Sequence, residues 1–252
     1  MMIAAKVLYL GDTALDQAAS YLAGIMSYYK LTFDYVSSNE KFCNSLLKND
    51  YKAIIISDYP SANFLPVQVE TLTDRIRNGL GFLMIGGWES FVGAGGNYNK
   101  TLLADCLPVQ MSDSDDRMNC SSPCLVIKNQ NHSIAKFLPF ETNAPAVGGF
   151  NKVKTKTGGI EILSARQFKA EYKNSKFSFT ELQTSPLLVI GNYGKANVAA
   201  FTSDVAPHWV GPLVDWGDTR ITAKAQGSAE IEVGNWYVQL FINIVRWVCK
   251  EL

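Results

Sequence analysis

Short apolar runs open the chain, separated by stretches in which apolar residues recur every third or fourth position. "AKVLYLG", "LTFDYV", "KAIIISD" and "GFLMIGG" predict strands at residues 6–10, 32–36, 53–57 and 82–85. Between them, "LDQAASYLAGIMSYY" carries Leu15, Ala18, Leu22, Ile25 and Met26 at helical spacing. "NEKFCNSLLKN" predicts a second helix, and "PVQVETLTDRIRNG" a third, with Pro66 in its first turn and Gly79 at its end. Runs without polar alternation suit strands whose two faces are both covered. The order βαβαβαβ therefore predicts an α/β fold, a mostly parallel, doubly wound sheet with right-handed crossovers.

From about Asn97 to Asn151 the periodicity loosens, which predicts polar loops, short helices and proline turns, with "SDSDDRMNCSSPC" on the surface. Strand signals return from Gly159 in "GIEILSAR", "QFKAEY", "KFSFTEL" and "PLLVIGNYGKANVAAFTSD", where "NYGK" reads as a hairpin turn. Strands at residues 160–166, 187–191 and 197–203 should extend or flank the sheet. The closing "NWYVQLFINIVRWVCKEL" sets Trp236, Leu240, Phe241, Ile244, Val245, Trp247 and Val248 on one helical stripe. One domain over residues 1–252 is expected.

Composition narrows the function classes. With 252 residues, 47% of them hydrophobic and 18% charged, a large core is available and disorder is not expected. Lys+Arg and Asp+Glu both total 23. Without a positive excess, nucleic acid is not expected as a partner, and near-zero net charge leaves self-association unopposed, so a homo-oligomer is expected. No run spans a bilayer. The opening "MMIAAKVLYLGD" is broken by Lys6 and reads as a first core strand rather than a signal peptide. Five cysteines without an export signal read as reduced thiols in cytoplasm, with no disulfides.

The blocks "GLGFLMIGGWESF", "LLADCLPVQMSDSDDR", "NHSI", "PLLVIGNYGKANVAAFTSDVAPHW" and "IVRW" follow one another as in the glutamine amidotransferase-like proteins, which this chain resembles over roughly residues 6–247. That group is similar in fold to the class I glutamine amidotransferases and the trehalose-utilisation proteins. The resemblance implies a flavodoxin-like α/β sheet with additional C-terminal strands, and it implies little about a reaction. A working amidotransferase of this class needs a cysteine in a G-x-C-x-G strand-to-helix turn, where the helix N-terminus favours the thiolate, and a histidine oriented by a carboxylate. Here the turn reads Gly86-Gly87-Trp88-Glu89-Ser90. Trp88 is no nucleophile, and Cys43, Cys106 and Cys249 read as packing residues. Glutaminase activity by the usual route is therefore not expected.

Other chemistry is weighed against plainer roles. Ser90 reads as a helix N-cap; the alternative is a hydroxyl nucleophile with His208 as base and Asp204 or Glu89 as orienter. Gly86 and Gly87 either admit a ligand to the backbone or serve only the turn. Asp204 and His208 follow a strand at the edge where open α/β sheets bind ligands, and they are the leading site candidates. Asp204 could hold one ring nitrogen of His208 and aim the other at a ligand. Trp209, with Trp216 and Trp236, could line a sugar-like pocket or simply pack. His132 reads as the start of a turn. "DSDDR" reads as an Asp–Arg pair fixing a loop rather than a metal site, and Cys120 and Cys124 lack the second pair that zinc asks for. No cofactor and no metal is expected. The turn at 86–90 and the loop at 204–209 should face one crevice, with Asp58 beside them. Two readings stay open: a small-molecule binder that has lost the cysteine, its ligand polar or carbohydrate-like, and a non-catalytic homo-oligomeric assembly module.

Overall fold

The structure is a computed structural model that describes residues 7–252, so Lys6, expected to open the first strand, lies outside the described residues. Helix α1 (Ser20–Tyr28) follows β1 (Val7–Gly11) and leads to β2 (Phe33–Val36) and β3 (Ala53–Ser57). Helix α2 (Pro66–Arg77) then leads to β4 (Gly81–Ile85). The four strands pair in parallel in the order β2-β1-β3-β4. Every residue of β1, β3 and β4 is buried, because α1 covers one face of the sheet and α2 the other. Pro66 opens α2, the Gln68 side chain accepts the Leu65 N–H at 2.8 Å, and Gly79 follows its end with φ +123°.

Two of the expected helices come out shorter. Helix α1 starts at Ser20 rather than near Leu15, and "NEKFCNSLLKN" forms only a 3-10 turn at Asn44–Lys48. Phe42 drops into the core, and Arg75 takes the carbonyls of Leu47 and Asn49, which closes the turn before a helix can continue. Cys43 is consequently exposed rather than packed.

The region expected as loops departs most from the pattern. After α3 (Leu103–Cys106) and β5 (Val109–Gln110) come two strands of the main sheet, β6 (Arg117–Lys128) and β7 (Ala146–Asn151). Cys124, Val126, Val147 and Phe150 turn inward, but the polar first half of β6 hides the alternation. After β8 (Lys154–Thr155), which pairs with β5, come β9 (Ile160–Lys173), β10 (Lys176–Tyr193) and β11 (Ala196–Phe201). β11 lies parallel to β4, completing the order 2-1-3-4-5 of a flavodoxin-like sheet. From β11 outward, β10, β9, β6 and β7 continue the same nine-stranded sheet in antiparallel fashion. β9 and β10 run on past their neighbours, so residues 167–183 pair only with each other among the described residues.

Helix α4 (Pro207–Val214) and the hairpin of β12 (Arg220–Lys224) and β13 (Glu230–Gly234) were not foreseen from the pattern, whereas α5 (Asn235–Val248) was. Pro207 sits in the first turn of α4, and Pro212 inside it accompanies non-helical angles at Val210. The two apolar cores lie on the two faces of the sheet, each drawing on residues from both sides of Asn151. No helix is long and apolar enough to cross a membrane among the described residues.

Candidate functional site

β1, β3, β4 and β11 are mutually parallel, so the segments after Gly11, Ser57, Ile85 and Phe201 emerge at one edge. Gly86 N–H points to the carbonyls of Phe201 at 2.8 Å and Ser203 at 3.0 Å, which joins the 86–90 turn to the loop after β11. The Trp88 ring lies 5.7 Å from the His208 ring at a 30° tilt. The turn and the loop thus face each other, with Asp58 between them and β3.

The two glycines are required by the protein itself. A Cβ on Gly86 would stand 2.1 Å from the Thr202 carbonyl oxygen, and one on Gly87 would stand 2.1 Å from an Asp58 carboxylate oxygen. Asp58 accepts the Glu89 N–H at 2.8 Å, and its own N–H goes to Ser90 Oγ at 2.8 Å. Ser90 is fully buried and no α-helix follows it before Leu103. Its expected role as an N-cap is replaced by a tie to β3. Without a helix after the turn, no helix dipole would lower the pKa of a thiol placed there.

Asn151, which the pattern did not mark, and Asp116 of the "DSDDR" stretch hold the turn from the far side. Asn151 closes a two-way amide pair with Gly87, accepting its N–H at 2.9 Å and donating to its carbonyl at 3.1 Å. The same amide nitrogen donates to Asp116 at 2.8 Å, and Asp116 also accepts the N–H groups of Val92 at 3.1 Å and Gly93 at 2.9 Å. Asp116 is therefore buried structure within "DSDDR", while its neighbour Asp115 pairs with Arg117 at 2.7 Å as expected.

Below the turn sits a cluster of carboxylates, Asp12, Asp58 and Asp204, each just past a strand end. Asp12 accepts from the Tyr9 hydroxyl and, at 2.9 Å, from Ser57. Burial, and then repulsion from Asp204 and Asp58, pushes the Asp12 pKa well above the usual range. Burial and the nearby Asp58 push Asp204 up to about 8. Burial also takes Asp58 up to about 6, against the hydrogen bond from Glu89. Carboxyls so arranged hold protons near neutral pH. Asp12 lies beside the β1/β3 switch point, where the doubly wound topology opens its crevice; its place directly after the first strand, in "YLGD", is the sequence signal for it.

Asp204 and His208 are brought near one another without pairing. Asp204 accepts the Ala206 N–H at 2.9 Å, and Pro207 then starts α4 so that His208 is exposed and lies against Trp88. Among the described residues His208 has no hydrogen bond to Asp204. Trp209 leaves the crevice altogether: it is buried against Gly149, and its indole N–H donates to Asn119 at 2.8 Å. What remains open is a rim. Trp88 is 44% exposed, the Arg117 guanidinium lies 4.5 Å from its ring centre, and Glu89 is half-buried beside it.

The remaining candidates lie elsewhere. His132 begins a 3-10 turn, its Nδ1 accepting the Ile134 N–H at 3.2 Å. None of the five cysteines is in a disulfide among the described residues. Burial pushes Cys106 up to about 11, and burial with Cys120 beside it pushes Cys124 up to about 12. No group of three or more His, Cys, Asp or Glu among the described residues is placed to hold a metal ion. Surface hollows of 280 to 820 Å³ lie elsewhere, lined by none of Asp12, Asp58, Trp88, Asp204 and His208.

A doubly wound sheet of order 2-1-3-4-5 with an antiparallel extension defines a flavodoxin-like α/β protein. The family model described as "Putative glutamine amidotransferase" matches residues 10–224, and the chain belongs to this family. Among solved structures, it is similar to the cytoplasmic protein STM1381 of Salmonella typhimurium LT2, with 26% identity, 96% of this chain and 99% of that one covered, and a TM-score of 0.71. The cytoplasmic protein STM3548 of Salmonella typhimurium gives 24%, 96%, 98% and 0.69. A ThuA-like protein of Bacteroides uniformis shares the fold at 13% identity, 96% and 90% coverage and a TM-score of 0.53. Among curated proteins none matches the chain.

Proposed function

We propose that this member of the family has no glutaminase activity and binds a small, polyhydroxylated, carbohydrate-like metabolite on the Trp88 rim, in the cytoplasm. The observation that carries the reading is Trp88 itself, exposed in the turn after β4 and flanked by Arg117 and His208. An indole face suits the apolar face of a sugar ring, while Arg117, His208 and Glu89 supply donors and acceptors for its hydroxyls. The buried carboxylates beneath set a polar, proton-holding floor rather than contacts. No cofactor, metal, nucleic acid or membrane enters this reading.

A thermal-shift screen of sugars, amino acids and nucleotides, followed by calorimetry on any hit, tests it. Stabilisation by sugars that disappears in Trp88→Ala supports the reading, since a ligand of the native state raises stability by mass action. A response confined to nucleotides or amino acids, or one that survives Trp88→Ala, overturns it. Ammonia release from glutamine, abolished by changing any one cysteine, would overturn the claim of no glutaminase. The second reading, an assembly module, is favoured by a different part of the molecule.

A further inference from the structure

Beyond Arg166 and Leu188 the β9–β10 hairpin leaves the sheet and continues as a two-stranded ribbon, about 20 Å long at the usual rise per residue. Strand pairing sets Tyr172 opposite Phe177, Ala170 opposite Phe179 and Phe168 opposite Glu181, all on one face. Their rings form a row, with Tyr172–Phe177 at 4.8 Å, Phe177–Phe179 at 6.3 Å and Phe168–Phe179 at 5.8 Å. The opposite face pairs Lys173 with Lys176, Glu171 with Ser178 and Lys169 with Thr180. Lys169 and Lys173 lie within 3.1 and 3.5 Å of Glu171 there. Residues Lys176 to Thr184 are all exposed, and Tyr172, Phe177 and Phe179 show 63%, 68% and 67% of their surface.

We infer that this arm is a dimerisation element whose aromatic face packs on the same face of a second copy of the chain about a twofold axis. A lone two-stranded hairpin is marginal in water, and an amphipathic one needs its apolar face covered. The three most exposed rings offer roughly 400 Å² per copy. An isologous contact doubles that figure, and with Phe168 and the ribbon edges it reaches the ~1,000–1,200 Å² of a specific interface. The formal net charge of zero puts no long-range repulsion between two copies. The charged face stays in water, on the outside of the pair. This inference does not depend on the ligand reading, which concerns the 86–90 turn and the 204–209 loop.

Sedimentation velocity across the micromolar range tests it on the full chain. The expected result is a mass of two chains for the wild type and of one chain for Phe177→Ser with Phe179→Ser, an association weakened at least tenfold. Lys169→Ser with Lys176→Ser, on the opposite face, should keep the mass of two. Far-UV circular dichroism reports whether each variant folds, and Phe177→Ser alone decides the matter if the double change does not. A wild type with the mass of one chain overturns the inference, including when its aromatic face is found instead to bind phosphatidylglycerol vesicles. Aromatic-face variants that fold and remain dimeric, or lysine variants that dissociate equally, overturn it as well.

Discussion

The turn at residues 86–90 and the arm at residues 167–183 are both places where the sheet gives way to something else, and they are built in opposite ways. In the turn the backbone polar groups are tied to other elements: Gly86 to Phe201 and Ser203, Gly87 to Asn151, Glu89 to Asp58. The two glycines leave no room even for a methyl group. The arm has its cross-strand ladder and little else, with aromatic side chains facing solvent. A segment tied on every side presents a fixed surface and so suits recognition of a small molecule. A segment with an uncovered apolar face reaches its full stability only when something covers it. The contrast assigns the two candidate activities, ligand binding and assembly, to different parts of one chain.

The strongest way to break this contrast is to cut the ties of the turn. Asn151→Ala leaves Gly87 N–H and C=O without their partner in a buried place and takes one of two donors from an Asp116 oxygen that keeps the Gly93 N–H. Such losses cost about 1–3 kcal/mol each, so urea denaturation should show a stability loss of about 4 kcal/mol. Phe177→Ser in the arm, measured on monomer, should cost less than about 0.5 kcal/mol, because surface changes rarely exceed that. Equal losses at the two positions would dissolve the distinction.

Acid should strengthen the same floor. Asp204 at about 8 and Asp58 at about 6 hold protons in the folded state that the unfolded chain releases near pH 4. The folded state therefore binds more protons between those limits. Stability from these groups is full at the acid end, and it falls as pH rises through about 6 and then about 8. Between about pH 6.5 and pH 8 the decline should be on the order of 2 kcal/mol, and Asp204→Asn should flatten it. A wild type whose stability rises with pH across that window would show these carboxyls to be ionised and paired instead.

How far the sequence alone reached follows the same division. The buried parallel strands were legible because both faces of each are covered, so "VLYLG", "AIIIS" and "FLMI" needed no alternation to be seen. The meeting of the 86–90 turn with the 204–209 loop followed from parallel strand ends. β6 and β7 were hidden because Arg117, Asn119 and Ser121 give the first half of β6 a polar composition. With β7 unseen, nothing marked Asn151, whose role depends on lying opposite Gly87 in space, 64 residues away in the chain. Trp209 and His208 were adjacent in sequence and could not be separated without knowing that α4 begins at Pro207.

On the rim, effects should be smaller and fall on binding rather than on folding. Trp88→Ala removes a half-exposed ring and should lower stability by less than about 1 kcal/mol. It should weaken a sugar ligand tenfold or more in calorimetry, about 1.4 kcal/mol. A variant that unfolds while a ligand still binds its folded remainder with unchanged affinity would place Trp88 with the structural floor and not with the rim.

Arg117→Ala should produce the smallest effect, and it sharpens the contrast most finely. Arg117 lies over Trp88 at 4.5 Å and pairs with Asp115 at 2.7 Å, a contact half open to solvent on the aspartate side. An exposed cation–π contact and an exposed ion pair are each worth about 0.5–1 kcal/mol at best, and ordering a long side chain offsets part of it. Denaturation should therefore shift by less than about 0.5 kcal/mol. Acrylamide quenching of tryptophan fluorescence should increase, because the guanidinium shields the 44%-exposed Trp88 ring while Trp209 and Trp216 stay buried. A stability loss above about 1.5 kcal/mol would mean that Arg117 belongs, like Asn151, to the ties that hold the turn. The rim would then be as fixed as the floor, and a ligand would meet a surface already set on both levels.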